Sequence, residues 1–325
     1  MIYLSVIIPT RNRANLLNKA LTSLVNQTYP QQNFEVIVID NGSTDNTKEI
    51  VESYIQLIPQ IHYIFEPEPG LHRGRHAGLN AASGDILVYG DDDIEAFPTW
   101  LEGIAESFSD PSVALVGGNN LPRYESKPPE WVEQLWQKTP WGITNPHYSL
   151  IDFGQEGREI SPYYVYGCNF SIRKKTLAEI GGFHPDSMPE HLLKYRGDGE
   201  TAVSNTILKR GFRTQFNPKA SVYHYVSNQR MKFSYLKKRG YLQGISDSYR
   251  DIRKKGSYNF FYYLHFTLLM CLAHIRRSLK FWLKAKSDPT SYYIQGYFEG
   301  YLFHQNAMTA EPILQEWVLK PNYLE

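Results

Sequence analysis

An alternation in the first half most constrains what this chain can fold into: short, unbroken apolar runs, each ending in a polar cluster and each followed by a helical pattern. Leu4–Ile8 and Val36–Ile39 are continuous and β-branched, as expected of strands buried on both faces of a parallel sheet. Between them Ala14, Leu17, Ala20, Leu21 and Leu24 recur at helical spacing, so a helix carries the chain from one strand to the next. Ile61–Phe65 and Ile86–Tyr89 read as further strands, with helices expected around Thr44–Leu57 and His76–Ala82. Repeated β-α units of this length predict an α/β fold, a mostly parallel sheet flanked by helices. Ligands of such sheets bind beyond the carboxyl ends of the strands.

The polar clusters lie at those ends. Pro9-Thr10-Arg11 follows the first strand, Asp40-Asn41-Gly42-Ser43 the second, and Asp91-Asp92-Asp93 the run at Ile86–Tyr89. Three adjacent carboxylates repel one another and each prefers solvent or a cation. At a strand end they suit a hard divalent ion shared with substrate phosphates, or else an exposed acidic turn leading a helix. Asp40 can accept the imide N–H of uracil or ribose hydroxyls; it equally fits an Asx-turn, with Asp45 or Ser43 capping the next helix. Asp198-Gly199-Glu200 precedes a helix expected over Thr201–Lys209, so its acids either complement the helix dipole or supply a general base. A lone histidine at a strand end, as His224 is in Pro218–His224, is ordinarily structural; the acidic clusters make it a candidate metal ligand.

Elsewhere the pattern is less regular. Pro122–Pro146 is rich in Pro and Trp without a steady period, and is expected to be a long irregular excursion covering an acceptor. Val165–Ile172, Thr214–Phe216 and Ser221–Tyr225 resume strand character. The chain has 325 residues, enough for one catalytic domain plus an accessory segment, and 42% hydrophobic against 21% charged residues excludes a disordered chain. Its two cysteines, Cys168 and Cys271, lack metal-ligand spacing, which argues against a disulfide framework or zinc site and fits a reducing compartment. Met1 leads directly into the first apolar run without a basic n-region, so a buried strand is expected there and not a signal peptide.

The net charge of +1 hides an asymmetry: Arg230 to Lys286 holds 14 Lys and Arg against two acids, Asp247 and Asp251. Such a region suits an anionic partner, most simply a membrane leaflet, although a solvated helical face gives the same composition. Ser257 to Ile275 is free of Lys, Arg, Asp and Glu, and is short and interrupted for a span. An interfacial helix fits it better, with a helix packed on the catalytic domain as the alternative. The basic region has no motif that reads nucleic acid.

Six stretches share one order and spacing: Ser5–Arg13, Val38–Asp45, Gly70–Gly78, Gly84–Asp93, Gly197–Thr201 and, after Arg210-Gly211, Pro218–His224. Together they resemble glycosyltransferase family 2 over roughly residues 2–226. The resemblance implies a GT-A-type, Rossmann-like α/β fold. Residues 1–118 would form the nucleotide-sugar-binding half and 119–228 the acceptor and catalytic-base half; beyond the resemblance, composition alone predicts that 229–325 is a helical, basic and aromatic C-terminal extension. It implies that Pro9, Thr10, Arg11 and Asn41 line the nucleotide pocket, Asp40 holds the base, Arg75 approaches the diphosphate and Asp91 the ribose. Asp92 or Asp93, with His224, would bind Mn²⁺ or Mg²⁺. The general base would be Glu200 or Asp198, because the family's Glu-Asp pair is replaced here by Asp-Gly-Glu; the usual Asn after the arginine is His76.

The implied activity is inverting, metal-dependent transfer of a sugar from a nucleotide donor, UDP-sugar favoured, to a hydroxyl of a glycan or lipid-linked acceptor. Outside the resemblance, the charge and aromatics of 230–286 motivate the expectation of a cytoplasmic enzyme, peripheral on the inner face of the membrane, and a role in cell-surface polysaccharide synthesis is expected with it. Two other readings fit the same layout: a catalytically silent nucleotide-sugar-binding protein, and a nucleotidyltransferase. The second lacks its Gly-rich phosphate loop, since Arg11-Asn12-Arg13 is no such loop.

Overall fold

The computed structural model of the protein describes residues 1–255, 268 and 288–324. Strands β1 (Leu4–Thr10), β2 (Phe34–Asp40), β3 (Ile61–Phe65) and β4 (Ile86–Gly90) pair in parallel in the order β3-β2-β1-β4. Helices α1 (Ala14–Val25), α2 (Thr47–Ser53) and α3 (Leu71–Ala81) make the crossovers. Side chains alternate between the faces. Leu4, Val6 and Ile8 pack with Leu17, Leu21 and Leu24 on one side, and Ile7, Ile37 and Ile39 pack with Leu79, Leu87 and Phe183 on the other. α3 begins five residues before the expected His76 because its sheet-facing side is made of glycines. A Cβ at Gly74 or Gly78 would press on Pro9 or Ile7, so the helix lies close on β1 without an apolar period to announce it.

Beyond β4 the sheet turns mixed. β5 (Ile94–Ala96) leaves it, whereas β6 (Val113–Gly117), β11 (Arg158–Glu159), β12 (Asn169–Arg173) and β13 (Arg213–Phe216) complete eight strands in the order β11-β13-β6-β12-β4-β1-β2-β3. The excursion expected to be irregular is instead a second sheet. β7 (Asn120–Tyr124), β8 (Gln137–Thr139), β9 (Gly142–Asn145) and β10 (Leu150–Asp152) join β5 and β14 (Val222–Val226) in the order β5-β14-β7-β10-β9-β8. Its strands are short and several inward positions are polar but satisfied: Asn120 donates to the Ser149 carbonyl and Thr144 to that of Leu150. That hides any period of two.

The C-terminal extension is helical: α8 (Phe233–Lys255), α9 (Pro289–Ala310) and α10 (Pro312–Leu319). Gly240 and Gly244 of α8 lie against the backbone of α9, and Gly296 and Gly300 of α9 against that of α8. Each helical glycine costs about 1 kcal/mol in propensity, which the close approach must offset. Apart from Leu268, the apolar run Ser257 to Ile275 and the basic residues Arg276 to Lys286 lie outside the described residues; among the described residues no helix is long and apolar enough to cross a membrane.

His304 is buried between α8 and α9, its Nδ1 2.7 Å from Ser248 Oγ, and burial pushes its pKa down to about 3. A depressed folded pKa means that the unfolded chain takes up the proton first as pH falls. The stability of the neutral ring is therefore present above the unfolded value of about 6.5 and is lost on the way down to the folded value. Urea unfolding at pH 7, 6 and 5 should show wild type losing up to about 1.4 kcal/mol per pH unit more than His304→Gln below pH ~6.5. A difference between the two that does not change with pH counts against this origin.

Candidate active site

The three acids after β4 diverge. Asp92 turns toward β1, where Oδ2 accepts from Thr10 Oγ1 at 2.7 Å and Oδ1 from Arg13 Nη1 at 2.9 Å. Asp93 turns toward the second sheet: Oδ2 accepts from Arg230 Nη2 at 2.8 Å and from Arg13 Nη1 at 3.2 Å, while Oδ1 faces His224 Nε2 at 3.2 Å. Burial pushes Asp91 up, with Asp93 adding to it, and pushes Asp92 up to about 6 against the pull of Arg13. Burial acts the same way on Asp93, but His224, Arg230 and Arg13 together outweigh it and hold that carboxyl well below the usual range. Neighbouring charge has sorted three chemically identical neighbours.

His224 completes the cluster. Its Nδ1 lies 2.8 Å from the Tyr148 carbonyl, which can only accept, so Nδ1 carries a proton. In the neutral ring Nε2 is then a lone pair, 3.5 Å from Arg230 Nη1, facing the carboxylate oxygen Asp93 Oδ1, which has no hydrogen-bond partner among the described residues. Two buried acceptors at that distance need a cation between them or a second proton on the ring. Ligand atoms of Asp91, Asp93 and His224 lie within 4.8 Å of one another, and an imidazole fixed by a carbonyl is the usual second-shell pattern of a metal-bound histidine. The donor set fits a divalent cation. Asp92, expected from the sequence as a possible ligand, is outside the group because Thr10 and Arg13 engage its oxygens.

Thr10 and Asp40 stand side by side at the ends of β1 and β2. Asp40 makes the Asx-turn, Oδ1 accepting from Ser43 N at 2.7 Å, and Oδ2 accepts from Tyr63 OH at 2.8 Å. Burial and Asp40 push the Tyr63 phenol up to about 12, so it stays a donor. Asn41 pins the loop before α3: its amide donates to the carbonyls of Glu66 and Glu68 and its oxygen accepts from Gly70 N. Asn12, at φ 54°, accepts from Thr44 N at 2.7 Å and so stitches the loops after β1 and β2 together. Pro9 packs toward Gly74 of α3, and Arg11 is exposed.

α3 delivers Arg75 into the interior. Its Nη1 lies 3.0 Å from Asp186 Oδ2 and 3.6 Å from Glu200 Oε2, and the guanidinium sits 4.9 Å over the Phe183 ring. Burial pushes Asp186 up to about 6, partly countered by Arg75. His76, where the family usually has Asn, accepts from Phe183 N at 2.9 Å and holds that ring's loop in place. The two candidate bases occupy different surroundings. Asp198 has a side chain 5% exposed, with Oδ1 2.6 Å from His184 Nδ1, whereas Glu200, at the start of α7 (Glu200–Lys209), is 31% exposed. Arg13, Arg230, Asp186, His184 and Tyr148 escape sequence reading. Each acts through a partner about 14 to 137 positions away, and no local pattern marks such pairs.

Residues 5–181 match the family described as Glycosyl transferase family 2. Glycosyltransferase AglE of Haloferax volcanii is 39% identical over 118 residues, 36% of this chain and 39% of its own length. Validoxylamine A glucosyltransferase of Streptomyces hygroscopicus subsp. jinggangensis is 30% identical over 200 residues, 56% of this chain and 47% of its own. The chain thus spans less than half the length of these curated relatives. Mannosyltransferase PcManGT from Pyrobaculum calidifontis, solved with GDP-Man and Mn²⁺, superposes with a TM-score of 0.54 at 18% identity, over 98% of this chain and 72% of that one. At that identity the likeness shows the fold, which is GT-A-type, as the sequence implied.

Proposed function

Because the chain belongs to glycosyltransferase family 2, we propose that it transfers a sugar from a nucleoside diphosphate donor, UDP-sugar preferred, to a hydroxyl of a glycan or lipid-linked acceptor, with inversion and with a divalent metal. The observation that carries this is the Nε2 lone pair of His224 facing Asp93 Oδ1 beside Asp91, an acid that also feels the charges of Arg75 and Glu200.

Asp93 and His224 would hold the metal, with Asp91 as the third ligand. The imidazole ligand favours Mn²⁺ over Mg²⁺, which prefers oxygen donors. When bound, the metal offsets charge that grows on the departing diphosphate. The remaining work is done by this chain's own side chains. Asp40, held by Ser43 N and Tyr63, keeps lone pairs for the imide N–H of uracil, with Pro9, Thr10, Arg11 and Asn41 around it. Thr10 is oriented by Asp92 and not by solvent. Arg75, fixed by Asp186 and Phe183, offers positive charge toward the diphosphate. Glu200 takes the acceptor proton as the hydroxyl attacks, while Asp198 positions the 184–200 segment through His184. The 13 Lys and Arg of 232–286, Arg230 being engaged by Asp93, support a peripheral contact with the anionic inner face of a membrane, and with it a role in cell-surface polysaccharide synthesis.

A panel of UDP-, GDP- and dTDP-sugars in thermal melts with Mn²⁺ tests the reading. The true donor near 100 times its dissociation constant should raise the melting temperature by roughly 5 °C, and EDTA should abolish the shift. No response to any of them would sink it; a response without sugar release in the presence of acceptors would point to a silent binder.

A further inference from the structure

Arg230 sits where a cation is wanted. It lies on a short turn after β14, with Arg230 N donating to the Ser227 carbonyl, and the two residues before it are exposed. From there one guanidinium reaches two of the three prospective metal ligands: Nη2 is 2.8 Å from Asp93 Oδ2 and Nη1 is 3.5 Å from His224 Nε2. Arg13 also touches Asp93, but it is anchored on Asp92 and makes no contact with the histidine. Among the described residues the Arg230 guanidinium hydrogen-bonds to Asp93, His224 and the Tyr225 carbonyl, and the side chain is 21% exposed, so one edge of it meets solvent.

We propose that Arg230 is a resident counter-cation that competes with the metal for Asp93 and His224 and is drawn off by the diphosphate of the donor, so that metal and nucleotide bind as a pair. This rests on the metal site proposed above. A divalent ion close to a fixed guanidinium meets strong like-charge repulsion in a buried site. A diphosphate removes that penalty twice, by its own negative charge and by offering the guanidinium a bidentate partner at least as good as the carboxylate. Arg230 therefore acts as a positioning residue that couples the two ligands. Linkage makes the coupling reciprocal: whatever factor UDP adds to Mn²⁺ affinity, Mn²⁺ adds to UDP affinity.

Mn²⁺ binding to the full chain, followed by the electron paramagnetic resonance signal of free Mn²⁺, separates the possibilities without any turnover. Wild type should bind Mn²⁺ weakly alone and roughly 100-fold more tightly with UDP. Arg230→Gln should bind Mn²⁺ alone about 10-fold more tightly than wild type, and the gain from UDP should shrink by a similar factor. Arg230→Lys, which keeps the charge, should stay near wild type in the absence of UDP, and melting curves check that both variants are folded. If Arg230 only props the turn, Arg230→Gln will leave Mn²⁺ affinity unchanged or weaken it, and the inference is overturned while the metal site stands. Absence of Mn²⁺ binding by wild type with UDP or GDP overturns the site and the inference together.

Discussion

Glu200→Gln is expected to leave the fold and donor binding in place and to cut sugar transfer by roughly 10²–10⁴-fold. The residue opens α7 immediately after Gly199, whose φ of 51° turns the chain so that the carboxylate, 31% exposed, lies 3.6 Å from Arg75. Glutamine keeps the size and the acceptor oxygen but cannot take a proton. Arg75 retains its tighter partner Asp186 at 3.0 Å, so the arginine stays put. The loss should then fall on kcat with the donor KM nearly unchanged, the pattern of an interaction used in the transition state. Donor binding is checked by calorimetry and transfer by product assay. Asp198→Asn offers the contrast: its carboxylate is spent on His184, so that variant should lower the melting temperature more than it lowers the chemical step. Near-normal transfer by Glu200→Gln would move the base elsewhere.

What the sequence revealed and what it hid follow from the range of the interactions. Leu4–Ile8 and Val36–Ile39 are legible because a strand buried on both faces needs an unbroken apolar run, and that need is met within a few residues. The clusters after them are legible because strand ends are local too. The start of α3 is not legible because its close packing is achieved by Gly74 and Gly78, residues that weaken every helical signal. The second sheet was missed because its strands of three to five residues place Asn120 and Thr144 inward, where a period-two count finds no apolar residue. Electrostatics is the least local of all. Nothing near Asp91-Asp92-Asp93 tells which acid meets Thr10, which meets Arg230 and which faces His224; contacts 82, 137 and 131 positions away decide it. The spacing pointed to a candidate metal site but could not say which of the acids would serve it.

That assignment gives the second large effect. Asp93→Asn is expected to weaken Mn²⁺ binding in the presence of UDP by about 100-fold or more and to lower transfer by roughly 10²–10³-fold, the scale of losing one pre-organised electrostatic partner of the departing charge. Asn presents a neutral oxygen or an N–H to His224 Nε2, and either removes the negative charge that the cation needs. The same change strips Arg230 and Arg13 of a shared counter-charge. Their side chains are 21% and 44% exposed, so water can take them up and the cost to the fold should stay well below the 3–5 kcal/mol of a fully buried pair broken on one side. Asp92→Asn is the control, one position away and equally buried. Its oxygens serve Thr10 and Arg13 and not the metal group, so Mn²⁺ affinity should stay within about threefold of wild type while the melting temperature falls. Metal retained by Asp93→Asn, or lost equally by both variants, would mean that the carboxylates act as a diffuse acidic patch, and the division of labour among the three acids would have to be given up.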